Sequence, residues 1–110
     1  MNPLELTPQE IEAKREAGEK LCLIDCREPE EWAICQIEGA NLLSMYSVPA
    51  NLQQLDAQAD ETLLVVYCHH GVRSLNVVQW LQAQGVANCV SMIGGIDRWS
   101  REIDSAVPRY

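Results

Sequence analysis

Short apolar runs alternate with longer amphipathic stretches along the whole of this chain. Leu21-Cys22-Leu23-Ile24-Asp25, Ala40-Asn41-Leu42-Leu43, Thr62 to Tyr67 and Ala87 to Met92 have the length and apolar character of buried strands. Within the first, Cys22 and Ile24 point one way, and Leu21, Leu23 and Asp25 the other. Between the runs the spacing turns helical. Thr7-Pro8-Gln9-Glu10 is a helix start, with Thr7 as cap, Pro8 in the first turn and Glu10 completing a capping box; that helix stops at Gly18. Glu28 to Trp32 predicts a short helix with acidic residues in its first turn, where the helix dipole favours them. Glu38-Gly39 is a turn, and residues 44–51 are a loop broken by Pro49. Leu52 to Ala59 is a short helix with Leu52 and Leu55 inward. Ser74 to Gln84 carries Val77, Val78 and Leu81 on one helical face and ends at Gly85. Gly94-Gly95 is a tight turn, Ile96 to Arg101 a last helix with Trp99 inward, and residues 104–110 a loose tail. The order α-β-α-β-α-β-α-β-α predicts an α/β domain. Its mostly parallel central sheet has about five short strands, with helices on both faces.

Composition narrows the functions this scaffold can serve. At 110 residues the chain is expected to be one domain, and its hydrophobic content of 47% against 22% charged suits a globular core. It contains no Phe, so Leu, Val, Ile and the three Trp fill that core. A net charge of −8 argues against binding nucleic acid or an anionic membrane surface, because both need a positive face. Residues 74–96 are uncharged, but Asn76, Gln79, Gln82, Gln84, Gly85 and Asn88 interrupt them, so no spanning helix is expected. No basic, apolar leader opens the chain. Its five Cys are an odd number, which favours a reducing cytoplasm over a disulfide framework.

The chemistry concentrates in Tyr67-Cys68-His69-His70-Gly71-Val72-Arg73-Ser74. An apolar strand leads into this stretch and an amphipathic helix leads out. Cys68 therefore stands at the carboxyl end of a strand and the N-terminus of a helix, where open α/β sheets place ligands. A helix N-terminus offers free N–H groups and partial positive charge. Loop N–H groups, the dipole and Arg73 all favour the thiolate, the reactive form of cysteine. His69 and His70 add positive charge when protonated, and Gly71 opens backbone conformations closed to other residues. No metal is expected: Cys68, His69 and His70 are adjacent and cannot easily converge on one tetrahedral ion. Cys22, Cys26 and Cys89 read as small buried hydrophobes. A resolving disulfide from one of them, or from Cys35, to Cys68 stays open.

Four segments in order resemble the rhodanese (sulfurtransferase) domain, over nearly the whole chain. They are Leu23-Ile24-Asp25-Cys26-Arg27 with the acidic helix after it, Ile37-Glu38-Gly39-Ala40, the Cys68 loop, and Gly94-Gly95-Ile96 with Trp99. The chain departs from the family at Cys35-Gln36, where Gly-His is usual, and at Glu38 in place of Pro. The resemblance implies that Cys68 is the sulfur-carrying nucleophile and that Cys68 to Arg73 wrap a bound persulfide with backbone N–H groups. Asp25, Arg27 and Ser74 are then supporting residues, with Asp25 holding Arg73. Thiosulfate is the implied donor, and a thiol, or cyanide in the assay tube, the acceptor; no cofactor is implied. Two other readings stay in view. The domain could be a persulfide carrier fed by a sulfur-relay protein partner. It could also be a cysteine phosphatase, but those enzymes place five residues between Cys and Arg. Here His69, His70, Gly71 and Val72 are four, a cradle sized for one sulfur.

Overall fold

Every strand of the sheet runs parallel to its neighbours, and the order across it is β1-β5-β4-β2-β3. These are Glu5–Leu6 (β1), Leu21–Asp25 (β2), Asn41–Leu42 (β3), Leu63–Tyr67 (β4) and Cys89–Met92 (β5). The helices between them are Pro8–Glu16 (α1), Pro29–Ile34 (α2), Leu52–Ala59 (α3), Val72–Ala83 (α4) and Gly95–Glu102 (α5). This is a computed structural model, and it describes residues 3–110. The α/β class and the parallel sheet of about five strands are as expected, and β2 to β5 lie on the four apolar runs named above.

β4 is central, and its side chains alternate between two cores. Leu64 and Val66 face a cluster containing Ile24, Leu55, Val77, Val78 and Leu81. Val65 and Tyr67 face a second cluster containing Leu23, Ile11, Ile96 and Trp99. So α3 and α4 cover one face, and α1 and α5 the other. A strand buried on both faces reads as a continuous apolar run, which is why Leu63-Leu64-Val65-Val66 was so legible. Each fully buried Val or Leu in these layers contributes ~1.5–3 kcal/mol.

The helix ends follow their local chemistry. Thr7 and Glu10 form the expected capping box: Glu10 N–H donates to Thr7 Oγ1 at 3.1 Å, and Thr7 N–H to Glu10 Oε1 at 2.9 Å. Several boundaries shift by a residue or two, and three departures from expectation are larger or bear on the site. β1 was not foreseen, because two residues are too short to show alternation and take their strand geometry from β5, pairing Glu5 with Ser91 and Leu6 with Met92. α4 begins at Val72 rather than Ser74, so the second half of the cysteine loop is already helix. The loop at 44–51 winds into two short 3₁₀ turns, Met45–Ser47 and Pro49–Asn51. Residues 104–110 carry no helix or strand, yet Val107 is buried and Tyr110 reaches back over the end of the sheet.

Candidate active site

Cys68 follows the last residue of β4 and lies under its own loop, only 1% exposed. Gly71 caps α4 in the left-handed conformation, φ 100°, which turns the chain back over the sulfur. A side chain there would also press on the turn after β5, since a Cβ would sit 3.1 Å from Gly94 N and 3.2 Å from Met92 O. Gly71 N–H donates to Cys68 Sγ at 3.1 Å and Ser74 N–H does so at 3.4 Å. Ser74 Oγ lies 3.4 Å from the sulfur and 2.7 Å from Ser91 Oγ, so a hydroxyl pair backs the site.

The loop's carbonyls point the other way, and α5 is the reason. Its first turn offers unpaired N–H groups. Ile96 N–H takes the carbonyl of Cys68 at 2.9 Å, and Asp97 N–H that of His69 at 3.2 Å. Gly95 allows this approach: a Cβ at that position would collide with the carbonyl oxygens of Cys68 and His69. The Gly94-Gly95-Ile96 segment thus anchors the loop by its carbonyls, while N–H groups from Gly71 and Ser74 face the sulfur.

These contacts make Cys68 acidic. A hydrogen bond from the Cys26 thiol is the largest cause; the Ser74 hydroxyl and the Ser74 and Gly71 N–H groups add to it against the cost of burial. Together they bring the Cys68 thiol down to about 4. The Cys26 thiol moves the opposite way, far above the ordinary range, because it donates to Cys68 and is itself buried. At neutral pH Cys68 is therefore a thiolate and Cys26 a thiol.

Around this centre the charged residues pair differently from expectation. Asp25 does not hold Arg73. It is bound to Arg27, whose Nε lies 2.9 and 3.0 Å from the two carboxylate oxygens. Asp25 and Arg27 are two apart on an extended chain and so share one side of it. Both are 0% exposed. Arg27 also donates to the Cys35 carbonyl at 2.7 Å and to Tyr110 Oη at 2.8 Å. Arg73 instead makes a two-pronged pair with Glu31 on α2, at 2.7 and 3.0 Å. That pairing, more than the burial that opposes it, holds the Glu31 carboxyl down to about 2. Tyr110 Oη donates to Glu31 at 2.6 Å, and its ring stacks on His69 at 3.9 Å. A polar chain Asp25–Arg27–Tyr110–Glu31–Arg73 therefore borders the loop. His70 is exposed beside His69, Val72 stands exposed on the rim, and His69 Nε2 is buried without a hydrogen-bond partner.

Cys68, Gly71 and Ser74 thus converge on one sulfur; Arg73 and Arg27 brace the surroundings; His69, His70 and Val72 form the rim. Sequence reasoning left Cys26 as one of four possible thiol partners of Cys68 without singling it out, and it missed Ser91, Glu31 and Tyr110. Ser91 carried a faint signal, being a hydroxyl in the otherwise apolar β5. Among the described residues no group of three or more His, Cys, Asp or Glu is placed to hold a metal ion. No helix of the described residues is long and apolar enough to cross a membrane.

A parallel α/β sheet with a buried cysteine thiolate in a strand-to-helix loop defines a class of cysteine-loop domains. Residues 7–102 match the rhodanese-like domain, and the chain belongs to that family. It is 37% identical to the thiosulfate sulfurtransferase GlpE of Haemophilus influenzae over 98 residues, covering 88% of each chain. It is 32% identical to the probable adenylyltransferase/sulfurtransferase MoeZ of Mycobacterium tuberculosis over 105 residues. That match covers 96% of this chain but spans only 26% of the relative's length. A rhodanese-like domain protein from Staphylococcus aureus has the same fold, with a TM-score of 0.80 at 28% identity, covering 98% of this chain and 99% of that one.

Proposed function

We propose that this domain is a sulfurtransferase that carries sulfane sulfur on Cys68. The observation that carries the proposal is the donor set on one buried sulfur: Gly71 and Ser74 N–H, with the Cys26 thiol and the Ser74 hydroxyl behind. In the first half-reaction the thiolate attacks the outer sulfur of a donor such as thiosulfate. An S–S bond forms to Cys68, the donor's own S–S bond breaks, and sulfite leaves with the electron pair. In the second, a thiol or, in vitro, cyanide attacks the outer sulfur of the persulfide and restores the thiolate. This is covalent catalysis by an activated cysteine. N–H groups preset toward the sulfur stabilise the anionic persulfide without rearrangement. Arg73 cannot lose its proton, so it serves as a fixed anchor through Glu31 rather than as an acid. His69 and His70 lie where an incoming anion approaches.

A second reading has one observation in its favour. The MoeZ match is to a piece of a longer protein named as an adenylyltransferase/sulfurtransferase. That fits a persulfide carrier loaded by a protein partner in the cytoplasm. The phosphatase reading is disfavoured by Arg73, whose guanidinium is turned to Glu31 instead of into the cradle. Intact-mass analysis after thiosulfate treatment tests the proposal. A gain of one sulfur atom is expected, lost on adding cyanide and absent in Cys68→Ser. No gain with thiosulfate, nor with persulfide from a cysteine desulfurase, refutes sulfur transfer; faster loading by the desulfurase favours the carrier.

A further inference from the structure

Cys26 lies beside Cys68 because of the sheet register. β2 and β4 pair Ile24 with Val66 and Asp25 with Tyr67. The ladder runs one step further, with Cys26 N–H donating to the Tyr67 carbonyl at 3.0 Å, so the next residues abreast are Cys26 and Cys68. Residues two apart on a strand share a face. Both sulfurs therefore fall on the side of Ile24 and Val66, in one buried cluster. Paired strands lie ~4.8 Å apart, inside the Cα separations of ~4.4–6.8 Å that disulfides span. The Cys26 side chain is also the group that weighs most on the ionisation of Cys68. The other cysteines lie elsewhere: Cys22 is four residues back along β2, abreast of Leu64; Cys35 is in the opposite core cluster against Arg27; and Cys89 Sγ sits 3.3 Å from the Val86 carbonyl.

We propose that Cys26 is a resolving thiol: when a hydroperoxide oxidises Cys68, Cys26 closes a Cys26–Cys68 disulfide. In the first step the Cys68 thiolate attacks the peroxide. An S–O bond forms, the O–O bond breaks and hydroxide leaves; the sulfur is oxidised to sulfenic acid and the peroxide is reduced. In the second, the Cys26 sulfur attacks Cys68 Sγ. An S–S bond forms, the S–O bond breaks, and the oxygen departs as water with the Cys26 proton. A small thiol reductant then reopens the bridge, whereas a cysteine oxidised on to sulfinic acid is in general lost.

The charge on Cys68 gates this step. While Cys68 is anionic, its negative sulfur holds the Cys26 proton and Cys26 is a poor nucleophile. A neutral sulfenic acid removes that hold. A persulfide does not, since its outer sulfur stays anionic. Cys26 therefore discards bound oxygen and spares bound sulfur; this contrast rests on the sulfurtransferase reading, and the disulfide itself does not.

The test compares the full chain with Cys26→Ala and Cys26→Ser after hydrogen peroxide, by intact mass and peptide mapping. The native protein should lose two hydrogen atoms, yield a Cys26–Cys68 cross-linked peptide and recover with dithiothreitol. Both variants should accumulate sulfinic acid on Cys68 at least roughly tenfold faster, the bridge no longer competing with further oxidation. Oxygen adducts on native Cys68 at the variants' rate, or a bridge mapping to Cys22, Cys35 or Cys89, overturn the proposal. Should either variant fail to fold, the native cross-link map decides alone. In a second arm, thiosulfate loading should add one sulfur with no bridge, and a bridge forming on loading overturns the charge gate. Absence of any loading counts against the sulfurtransferase reading and leaves the peroxide result to decide the thiol pair.

Discussion

Ser74→Ala isolates one donor of the sulfur cradle. It removes the hydroxyl and leaves the backbone N–H of residue 74 in place. A hydrogen bond to a charged group is worth ~1.5–3 kcal/mol. One pH unit corresponds to ~1.4 kcal/mol, so the ionisation of Cys68 should move up by about one to two pH units from its native position near 4. The assay is the rate of Cys68 alkylation by a small haloacetamide across pH, followed by mass. The native curve should be flat from about pH 5 to 8 and fall with an inflection near 4. The variant curve should cross it. At pH 4 the variant should react more slowly, because less of it is thiolate. At pH 7 it should react a few-fold faster, because both are ionised and nucleophilicity rises with basicity, with a slope of ~0.4–0.5. A native inflection at the ordinary thiol value of ~8.5 refutes the cradle argument. So does a variant curve that superimposes on the native one. Stability gives an independent check with a definite sign. The folded thiol ionises below the unfolded one, so its contribution is absent below about 4 and grows as pH rises toward the unfolded value. The urea stability of the native protein relative to Cys68→Ser should therefore increase from pH 4 to pH 8, and be lost again as pH falls through about 4.

Asp25→Ala leaves the Arg27 guanidinium buried without its carboxylate and should cost ~3–5 kcal/mol, a large part of the ~5–15 kcal/mol of a typical domain. In urea melts the double change Asp25→Leu with Arg27→Met should be milder than either single change; if instead the two costs simply add, the buried pair is not the source. Gly95→Ala drives a Cβ into the carbonyls of Cys68 and His69 and should raise the alkylation inflection of Cys68 as the loop shifts. Gly85→Ala, with φ 96° and open space around it, should leave that inflection unmoved and cost only ~1–2 kcal/mol of backbone strain. Equal behaviour of the two glycine variants would remove α5 from the account of the loop.

The parallel sheet was legible because four of its strands are apolar runs whose burial does not depend on their exact partners. β1 was illegible for the converse reason: Glu5–Leu6 is a strand only because β5 lies beside it. The same division runs through the site. Cys68, Gly71, Arg73 and Ser74 are contiguous, and a strand-to-helix turn brings them together whatever the rest of the chain does. Glu31 is 42 residues from Arg73 and Tyr110 is 83 from Arg27, so neither contact has a local trace. Cys26 is the instructive case, since nothing in its own neighbourhood separates a working thiol from a packing one. Only the register that sets Asp25 against Tyr67 does so, by carrying Cys26 one step on to meet Cys68. The pairing of Arg73 with Glu31 changes the argument about loop size as well. A four-residue gap suggested a cradle too small for phosphate. In the folded chain the Arg73 guanidinium is also paired with the Glu31 carboxylate, and neutral N–H and hydroxyl donors face the sulfur. That arrangement supports the proposed sulfur-carrying role over phosphate chemistry, because a phosphoryl group carries more charge than those few donors can satisfy.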